Sequence, residues 1–283
     1  TSTKQLYSST TSNKILFVRT QGWDGSVYQN KEIYSINSNG SGESAITNSS
    51  YDYETNPAWS PNKTKIAFVS DKDGNSEIYV KDLISGVLTR LTNNPAIDRN
   101  PTWSPDGTKI AFDTNRDGNY EIYVMNSDGS SQINFVNRPT TQDRSPNWSP
   151  NGLEIVFSSY SSNSFSSNIY KKSLSGTTVN SLTTDSSNND NPKYSPDGTK
   201  IIFTKSSTGD IYTMNANGSS QTNLTSTSGT SEIEPAWSPD GTEIIYVTGT
   251  NFNQLWIMNT NGSNKHSILS DSYEIRSPAW ASQ

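Results

Sequence analysis

Asn100-Pro101-Thr102-Trp103-Ser104-Pro105 is the stretch on which the fold is decided, because the chain repeats it. Near copies read Asn56-Pro57-Ala58-Trp59-Ser60-Pro61, Ser145-Pro146-Asn147-Trp148-Ser149-Pro150, Asn191-Pro192-Lys193-Tyr194-Ser195-Pro196 and Glu234-Pro235-Ala236-Trp237-Ser238-Pro239. A clipped copy, Ser277-Pro278-Ala279-Trp280-Ala281, lies near the carboxyl end. The first prolines stand at 57, 101, 146, 192, 235 and 278, giving steps of 44, 45, 46, 43 and 43 residues. A period of this size marks a repeat architecture whose units are each too small to bury an apolar face alone.

Outward from Trp103, one repeat resolves into strands and turns. Thr102-Trp103-Ser104 reads as a short strand, and Ser104-Pro105-Asp106-Gly107 as a turn in which proline presets one φ and glycine takes the left-handed position. Lys109-Ile110-Ala111-Phe112 is a second strand, Asn115 to Asn119 a hairpin loop, and Glu121-Ile122-Tyr123-Val124-Met125 a third strand rich in β-branched and aromatic residues. Asn126-Ser127-Asp128-Gly129 turns again into a weaker fourth strand. Four antiparallel strands per repeat form one propeller blade. No segment shows an apolar period of a helix.

Second and third strands occur six times, from Ile15-Leu16-Phe17 with Glu32-Ile33-Tyr34 to Ile244-Ile245-Tyr246 with Gln254-Leu255-Trp256. Only five carry a complete first strand ahead of them, and the sixth first strand is Pro278-Ala279-Trp280 at the other end. The expected fold is therefore all-β: a six-bladed propeller, closed by the C-terminal strand joining the N-terminal blade. Closure removes the edges that an open sheet would expose. Residues 1–13 read as a tail or edge segment and 14–283 as a single domain; Gln5-Leu6-Tyr7 is a weaker candidate for the closing strand.

Composition agrees with this and excludes several functions. Hydrophobic residues make up 30% of the chain, low for a globular protein but tolerable where core layers are thin and loops many. A net charge of −6 disfavours nucleic acid, whose phosphates need clustered Lys and Arg. Absence of cysteine excludes disulfides and thiolate chemistry, and no apolar run is long enough for membrane insertion. Richness in Ser, Thr and Asn with few lysines points to a periplasmic or extracellular bacterial protein.

The run Trp103 to Phe112, with Arg116-Asp117-Gly118-Asn119 and Glu121 to Asn126 behind it, resembles the TolB-type propeller repeat. The resemblance extends over about residues 14 to 281 and implies a six-bladed propeller of a kind frequent in bacterial envelope and secreted proteins. The Gly-His and Trp-Asp signatures of the common WD repeat are absent. Six blades fill the chain, leaving no room for the N-terminal α/β domain that the full translocation protein carries. Binding proteins, peptidase gatekeepers and polysaccharide lyases share such folds, so the resemblance decides no function.

Comparison of the repeats separates scaffold from candidate site. Trp59, Trp103, Trp148, Trp237 and Trp280 occupy one equivalent position, taken by Tyr194 in the remaining blade, and read as packing between blades. Trp23 has no equivalent. The Ser-Pro-x-Gly and Asn-x-x-Gly turns fall on one face; the variable second-to-third-strand loops and the entries to new blades fall on the other, where binding residues usually sit. Aromatic residues there are Trp23, Tyr28, Tyr51, Tyr53, Tyr120, Tyr160, Phe165, Phe252 and Tyr273, with Trp23, Tyr51 and Tyr53 the preferred cluster. Several of these could simply cover loop backbone.

Three residues ahead of each first proline stand Glu54, Asp98, Asp143, Asn189, Glu232 and Ile275, and two ahead stand Thr55, Arg99, Arg144, Asp190, Ile233 and Arg276. Since inner strands line the channel, both rows are expected to ring its mouth as a mixed-charge collar. The blander expectation is ion pairs between blades, worth roughly 0–1 kcal/mol each if exposed. No cofactor is called for. Asp71 to Glu77 alternates oxygen ligands as a calcium loop does, but its glycine is misplaced for an EF-hand and a hairpin explains it. His266, the one histidine, belongs to an outermost strand. The expected function is a non-catalytic, monomeric module binding a protein or peptide. The alternative is a carbohydrate-binding or carbohydrate-active propeller with two of Glu54, Asp98, Asp143 and Glu232 as acid and base.

Overall fold

The computed structural model describes residues 14–21, 30–49, 52–161 and 166–281. Each blade is a four-stranded antiparallel sheet, and there are six. From the channel outward, blade 1 consists of β24 (Ile275–Trp280), β1 (Lys14–Gln21), β2 (Asn30–Asn37) and β3 (Ser44–Ala45). Blade 2 consists of β4 (Glu54–Trp59), β5 (Lys65–Ser70), β6 (Glu77–Asp82) and β7 (Leu88–Arg90), and blade 3 of β8 (Asp98–Trp103), β9 (Lys109–Thr114), β10 (Glu121–Asn126) and β11 (Ile133–Asn134). Blade 4 has β12 (Thr141–Trp148), β13 (Glu154–Ser161), β14 (Asn168–Ser173) and β15 (Val179–Ser181). Blade 5 has β16 (Asn189–Tyr194), β17 (Lys200–Lys205), β18 (Asp210–Asn215) and β19 (Thr222–Asn223), and blade 6 has β20 (Ile233–Trp237), β21 (Glu243–Thr248), β22 (Gln254–Asn259) and β23 (His266–Ser270).

The ring closes as expected. Ile15 pairs with Trp280, Leu16 with Ala279, Val18 with Arg276 and Arg19 with Ile275. Backbone bonds from Thr20 N to Glu274 O and from Ala281 N to Lys14 O, both 2.9 Å, fasten the two ends of the seam.

The two middle strands of each blade carry its core. Phe17, Phe68, Phe112, Phe157 and Phe203 sit opposite Tyr34, Tyr79, Tyr123, Tyr170 and Tyr212. Their ring centroids are 5.7–6.2 Å apart, the cross-strand aromatic contact that favours sheet pairing. Packing runs between blades rather than within them. Ala67, Val69, Ile78 and Val80 of blade 2 form one apolar cluster with Trp103, Ile110, Phe112 and Met125 of blade 3. Every seam has such a cluster, including the closing one, where Ile15, Phe17 and Trp280 meet Ile245, Val247, Leu255 and Ile257.

Inner strands are longer than the short Thr-Trp-Ser segment expected, and each is bulged. Register shifts between Thr55 and Ala58, Arg99 and Thr102, Arg144 and Asn147, Asp190 and Lys193, and Ile233 and Ala236. The shift falls on the proline, which has no N–H to give the ladder. The residue before it takes a left-handed conformation in all six copies: Asn56 (φ 50°), Asn100 (52°), Ser145 (54°), Asn191 (54°), Glu234 (54°) and Ser277 (51°).

The Asn-x-x-Gly turns press on the preceding blade. A Cβ at Gly129 (φ +89°) would lie 2.7 Å from the Leu91 carbonyl oxygen, whereas at Gly118 (φ +96°) it would meet nothing within 4 Å. Gly118→Ala is therefore expected to cost only the left-handed penalty, about 1–2 kcal/mol. Gly129→Ala should exceed it by about 1–3 kcal/mol of steric strain. Urea denaturation of the two variants checks this; equal losses would contradict the blade contact.

Candidate functional site

The left-handed bulges form the waist of the channel. Asn56, Asn100, Ser145, Asn191 and Glu234 line both the chamber on the turn face and the chamber on the loop face. They are tied to each other and to one buried carboxylate. Ser277 N donates to Glu234 Oε2 at 2.5 Å, while Asn100 Nδ2 and Ser145 N donate to Asp113 Oδ1 at 2.7 and 3.1 Å.

The turn-face chamber, about 540 Å³, is walled by the prolines and by Trp59, Trp103, Trp148, Tyr194, Trp237 and Trp280. These aromatic residues pin neighbouring blades, as expected. The indoles of Trp103, Trp148 and Trp237 donate to Ala58 O, Thr102 O and Lys193 O of the preceding blade at 3.2, 3.2 and 3.1 Å. Lys193 also lines this chamber, at the place where other blades carry Ala58, Thr102, Asn147, Ala236 and Ala279. Burial lowers its pKa to about 8, against the opposing pull of Glu234 and Asp113.

The loop-face chamber, about 580 Å³, is polar. Arg99, Arg144, Arg276, Asp113, Asp190 and Glu234 supply its charges, and Ser158, Ser167, Thr204 and Tyr160 its hydroxyls. The arginines rest on aromatic rings: Arg144 Cζ lies 4.1 Å from the Tyr120 centroid and 5.5 Å from that of Tyr160, Arg99 Cζ 4.8 Å from Tyr120, and Arg276 Cζ 4.3 Å from Phe252. Arg99 also donates to the Tyr120 hydroxyl. Burial pushes Asp113 up to about 6, although Asn100, Ser145 and both arginines favour its anion. Burial likewise raises Asp190 and Glu234.

The structure separates the two rows of the expected collar. Arg99, Arg144, Asp190, Ile233 and Arg276 line the mouth. Glu54, Asp98, Asp143 and Glu232 do not; they are 5, 0, 0 and 3% exposed and point between blades. Alternation along the strand explains the correction, since neighbouring residues face opposite sides of the sheet. There the carboxyl groups lie near an acidic residue of the third strand in the preceding blade. Glu54 lies against Glu32, whose Oε2 accepts the Thr47 hydroxyl at 2.6 Å. Asp98 takes Arg116 at 3.1 Å and shares Thr92 with Glu77. Asp143 meets Arg138 at 3.5 Å, accepts the Thr141 hydroxyl at 3.1 Å and lies against Glu121. Burial raises all four, Glu54 to about 8.

Of the aromatic candidates, Tyr53 (37% exposed) and Tyr273 (42%) stand on the outer surface, while Trp23, Tyr28, Tyr51 and Phe165 lie outside the described residues. The preferred Trp23–Tyr51–Tyr53 cluster is thus represented by Tyr53 alone. Asp113, Lys193 and Glu234 were missed although the sequence carries their signal. Asp113 stands where other second strands have Val18, Val69, Ser158, Thr204 and Val247, so it breaks the pattern as plainly as Trp23 does.

The Asp71–Asn75 loop is a hairpin turn. Gly74 N donates to Asp71 O at 2.8 Å, Asp73 accepts the Tyr79 hydroxyl, and Asn75 Nδ2 donates to Asn94 O at 2.9 Å. Among the described residues no group of three or more His, Cys, Asp and Glu side chains is placed to hold a metal ion. His266 is exposed on β23. No helix among the described residues is long and apolar enough to cross a membrane.

A closed six-bladed propeller with a waisted polar channel defines the class of protein. The TolB beta propeller domain family matches residues 7–283, and the chain belongs to that family. Among solved structures it is similar to TolB from Acinetobacter baumannii, at 28% identity and a TM-score of 0.82 over 96% of this chain and 67% of that one. It is also similar to a protein described as putative TolB from Agrobacterium tumefaciens (21%, 0.72, 92% and 90%). In fold alone it resembles oligogalacturonate lyase from Vibrio parahaemolyticus (13%, 0.62, 92% and 74%). No curated protein matches the sequence.

Proposed function

We propose that this chain is a recognition module without catalysis of its own, working as a monomer in the periplasm or outside the cell, that takes a protein or peptide segment at the loop-face mouth. The observation that carries this reading is the mouth chamber itself: about 580 Å³ of polar space on a scaffold fixed by six apolar seams, rimmed by cations that rest on aromatic rings. Such a surface offers charge, hydroxyl and ring contacts together, which suits a peptide's mixed side chains and backbone. The carbohydrate alternative loses its nominated acid and base, because Glu54, Asp98, Asp143 and Glu232 are buried between blades and face away from the chamber.

A photo-crosslinking residue placed at Tyr160, in the mouth, and at Leu153, on the turn face, tests the reading in native extract. A defined protein should crosslink from Tyr160 and not from Leu153, and excess unmodified chain should compete it away. Equal crosslinking from both faces, or release of product from a polysaccharide by the chain alone, would overturn it.

A further inference from the structure

The chain has seven arginines, and five of them hold a carboxylate. Arg19 meets Glu43 at 2.7 Å, Arg90 meets Glu77 at 2.9 Å, Arg116 meets Asp98 at 3.1 Å, Arg138 meets Asp143 at 3.5 Å and Arg276 meets Glu274 at 2.7 Å. Among the described residues Arg99 and Arg144 form no ion pair, and they are neighbours. Both guanidinium groups pack on the Tyr120 ring, 4.8 and 4.1 Å from its centroid. Both are partly buried. Arg99 is pushed below the ordinary arginine range by burial; the charge of Asp113 opposes this and that of Arg144 adds to it.

Two like charges held together in a part-buried chamber destabilise each other unless an anion joins them. Asp113 and Asp190 attract these arginines at longer range, but neither forms an ion pair with them, and the chamber's carboxylates are hydrogen bonded locally: Asp113 by Asn100 and Ser145, Asp190 by Ser167 at 2.9 Å, and Glu234 by Ser277. Arg144 Nε is buried and donates to no acceptor; Thr204 Oγ1, on the same chamber wall, is likewise unpartnered. Every other arginine position is solved by a carboxylate from within the chain, so the geometry leaves a place for one from outside.

We propose that the Arg99–Arg144 pair binds a carboxylate side chain of the partner peptide, an aspartate or glutamate inserted into the mouth chamber. The guanidinium fork matches a carboxylate in two parallel hydrogen bonds. Tyr120 fixes the plane of both forks beforehand, so little rotamer freedom is lost when the anion arrives. The hydroxyls of Ser158, Ser167 and Tyr160 stand on the same wall for the neighbouring peptide groups. This inference rests on the recognition reading above and specifies what is recognised.

The test uses the full chain with three probes: a capped Gly-Ser-Glu-Ser-Gly peptide, its Gln counterpart, and trigalacturonate. Binding is followed by the Nε–Hε resonances of the arginines. The Glu peptide should shift the Arg99 and Arg144 signals and leave Arg116 in place, and the Gln peptide should shift none. Arg144→Gln should weaken the Glu peptide about tenfold, with Arg144→Lys in between. Arg144→Gln should also leave the melting temperature of the free protein within a few degrees of the parent, because no carboxylate ion-pairs with Arg144; a merely structural arginine would lower it. A lowered melting temperature with no response to the Glu peptide overturns the proposal. Response to trigalacturonate alone overturns the peptide assignment. If a partner crosslinks at Tyr160 yet Arg144→Gln binds it unchanged, this proposal fails while the recognition reading stands. Polysaccharide cleavage would sink the latter without touching the arginine site.

Discussion

A chain ending at Glu274 is expected to lose its cooperative fold, not merely an end. The missing segment is the whole inner strand of blade 1, and its removal leaves β1 as an open edge along the channel. Ile275 and Trp280, 0 and 9% exposed, leave the closing cluster. Loss of a buried Trp alone costs about 3–5 kcal/mol and of a buried Ile about 2–5. The strand's backbone pairing goes with them. Together these losses reach the net stability of about 5–15 kcal/mol that a domain possesses. The truncated chain should bind a hydrophobic dye and melt without a sharp transition in circular dichroism. A synthetic peptide spanning residues 275–283, added in trans, should restore the transition in proportion to its concentration. A sharp melt within a few degrees of the full chain would show that the ring does not depend on this closure. The single substitution Trp280→Ala should fall between, at about 3–5 kcal/mol.

Alkali is expected to destabilise the protein below the range of an ordinary lysine, and Glu54 is the principal reason. The folded carboxyl keeps its proton up to about pH 8, because burial, and then the hydrogen bond and charge of Glu32, disfavour the anion; Thr47 acts the other way and Asp52 adds to the rise. An unfolded glutamate releases its proton at about 4.3. The stabilisation is therefore complete below the unfolded value and is lost as pH rises through the folded one. Asp98, Asp143 and Glu232 are raised in the same direction by burial. The unpartnered oxygens Glu54 Oε2, Glu121 Oε2 and Asp143 Oδ2 stand where a proton between neighbouring carboxyl groups would sit. Stripping a buried hydrogen bond of its proton costs about 1–3 kcal/mol. The turn aspartates behave oppositely: Asp106, Asp197 and Asp240 are held low by serine and threonine hydrogen bonds, so their contribution disappears in acid. Tm should consequently peak at mildly acidic pH. From about pH 6 to about pH 9 it should fall by roughly 5 °C. Glu54→Gln, which can donate permanently to Glu32, should be more stable than the parent at the higher pH and shallower in its pH profile. An unchanged profile would mean that the Glu32–Glu54 pair shares no proton.

The contrast between the rows at Glu54 and Thr55, or at Asp98 and Arg99, shows where the sequence was legible and where it stopped. Period, strand signals and the displaced Pro278-Ala279-Trp280 copy were enough for the blade plan and the closure, because each depends on spacing that every unit repeats. Which of two adjacent residues faces the axis depends on strand parity. Parity is set by the bulge at the residue before proline, and no composition signal announces a bulge. Hence both rows were assigned to the channel, although only the Arg99 row reaches it. Asp113 and Lys193 were visible as breaks in the repeat, yet both lie in or beside strands rather than in the variable loops where a site was sought. Tyr120 and Phe252 were recognised as loop-face aromatics, but their role beneath Arg99, Arg144 and Arg276 is a tertiary contact between different strands.

The left-handed residues of the channel waist have a consequence for how such a throat can diversify. Asn56, Asn100, Ser145, Asn191, Glu234 and Ser277 occupy a backbone region that bulky and β-branched side chains tolerate poorly. The ring between the two chambers is thus written in a short alphabet of small or flexible polar groups. New selectivity must be spelled to either side of it, where this chain places arginines above the ring and a lysine below it.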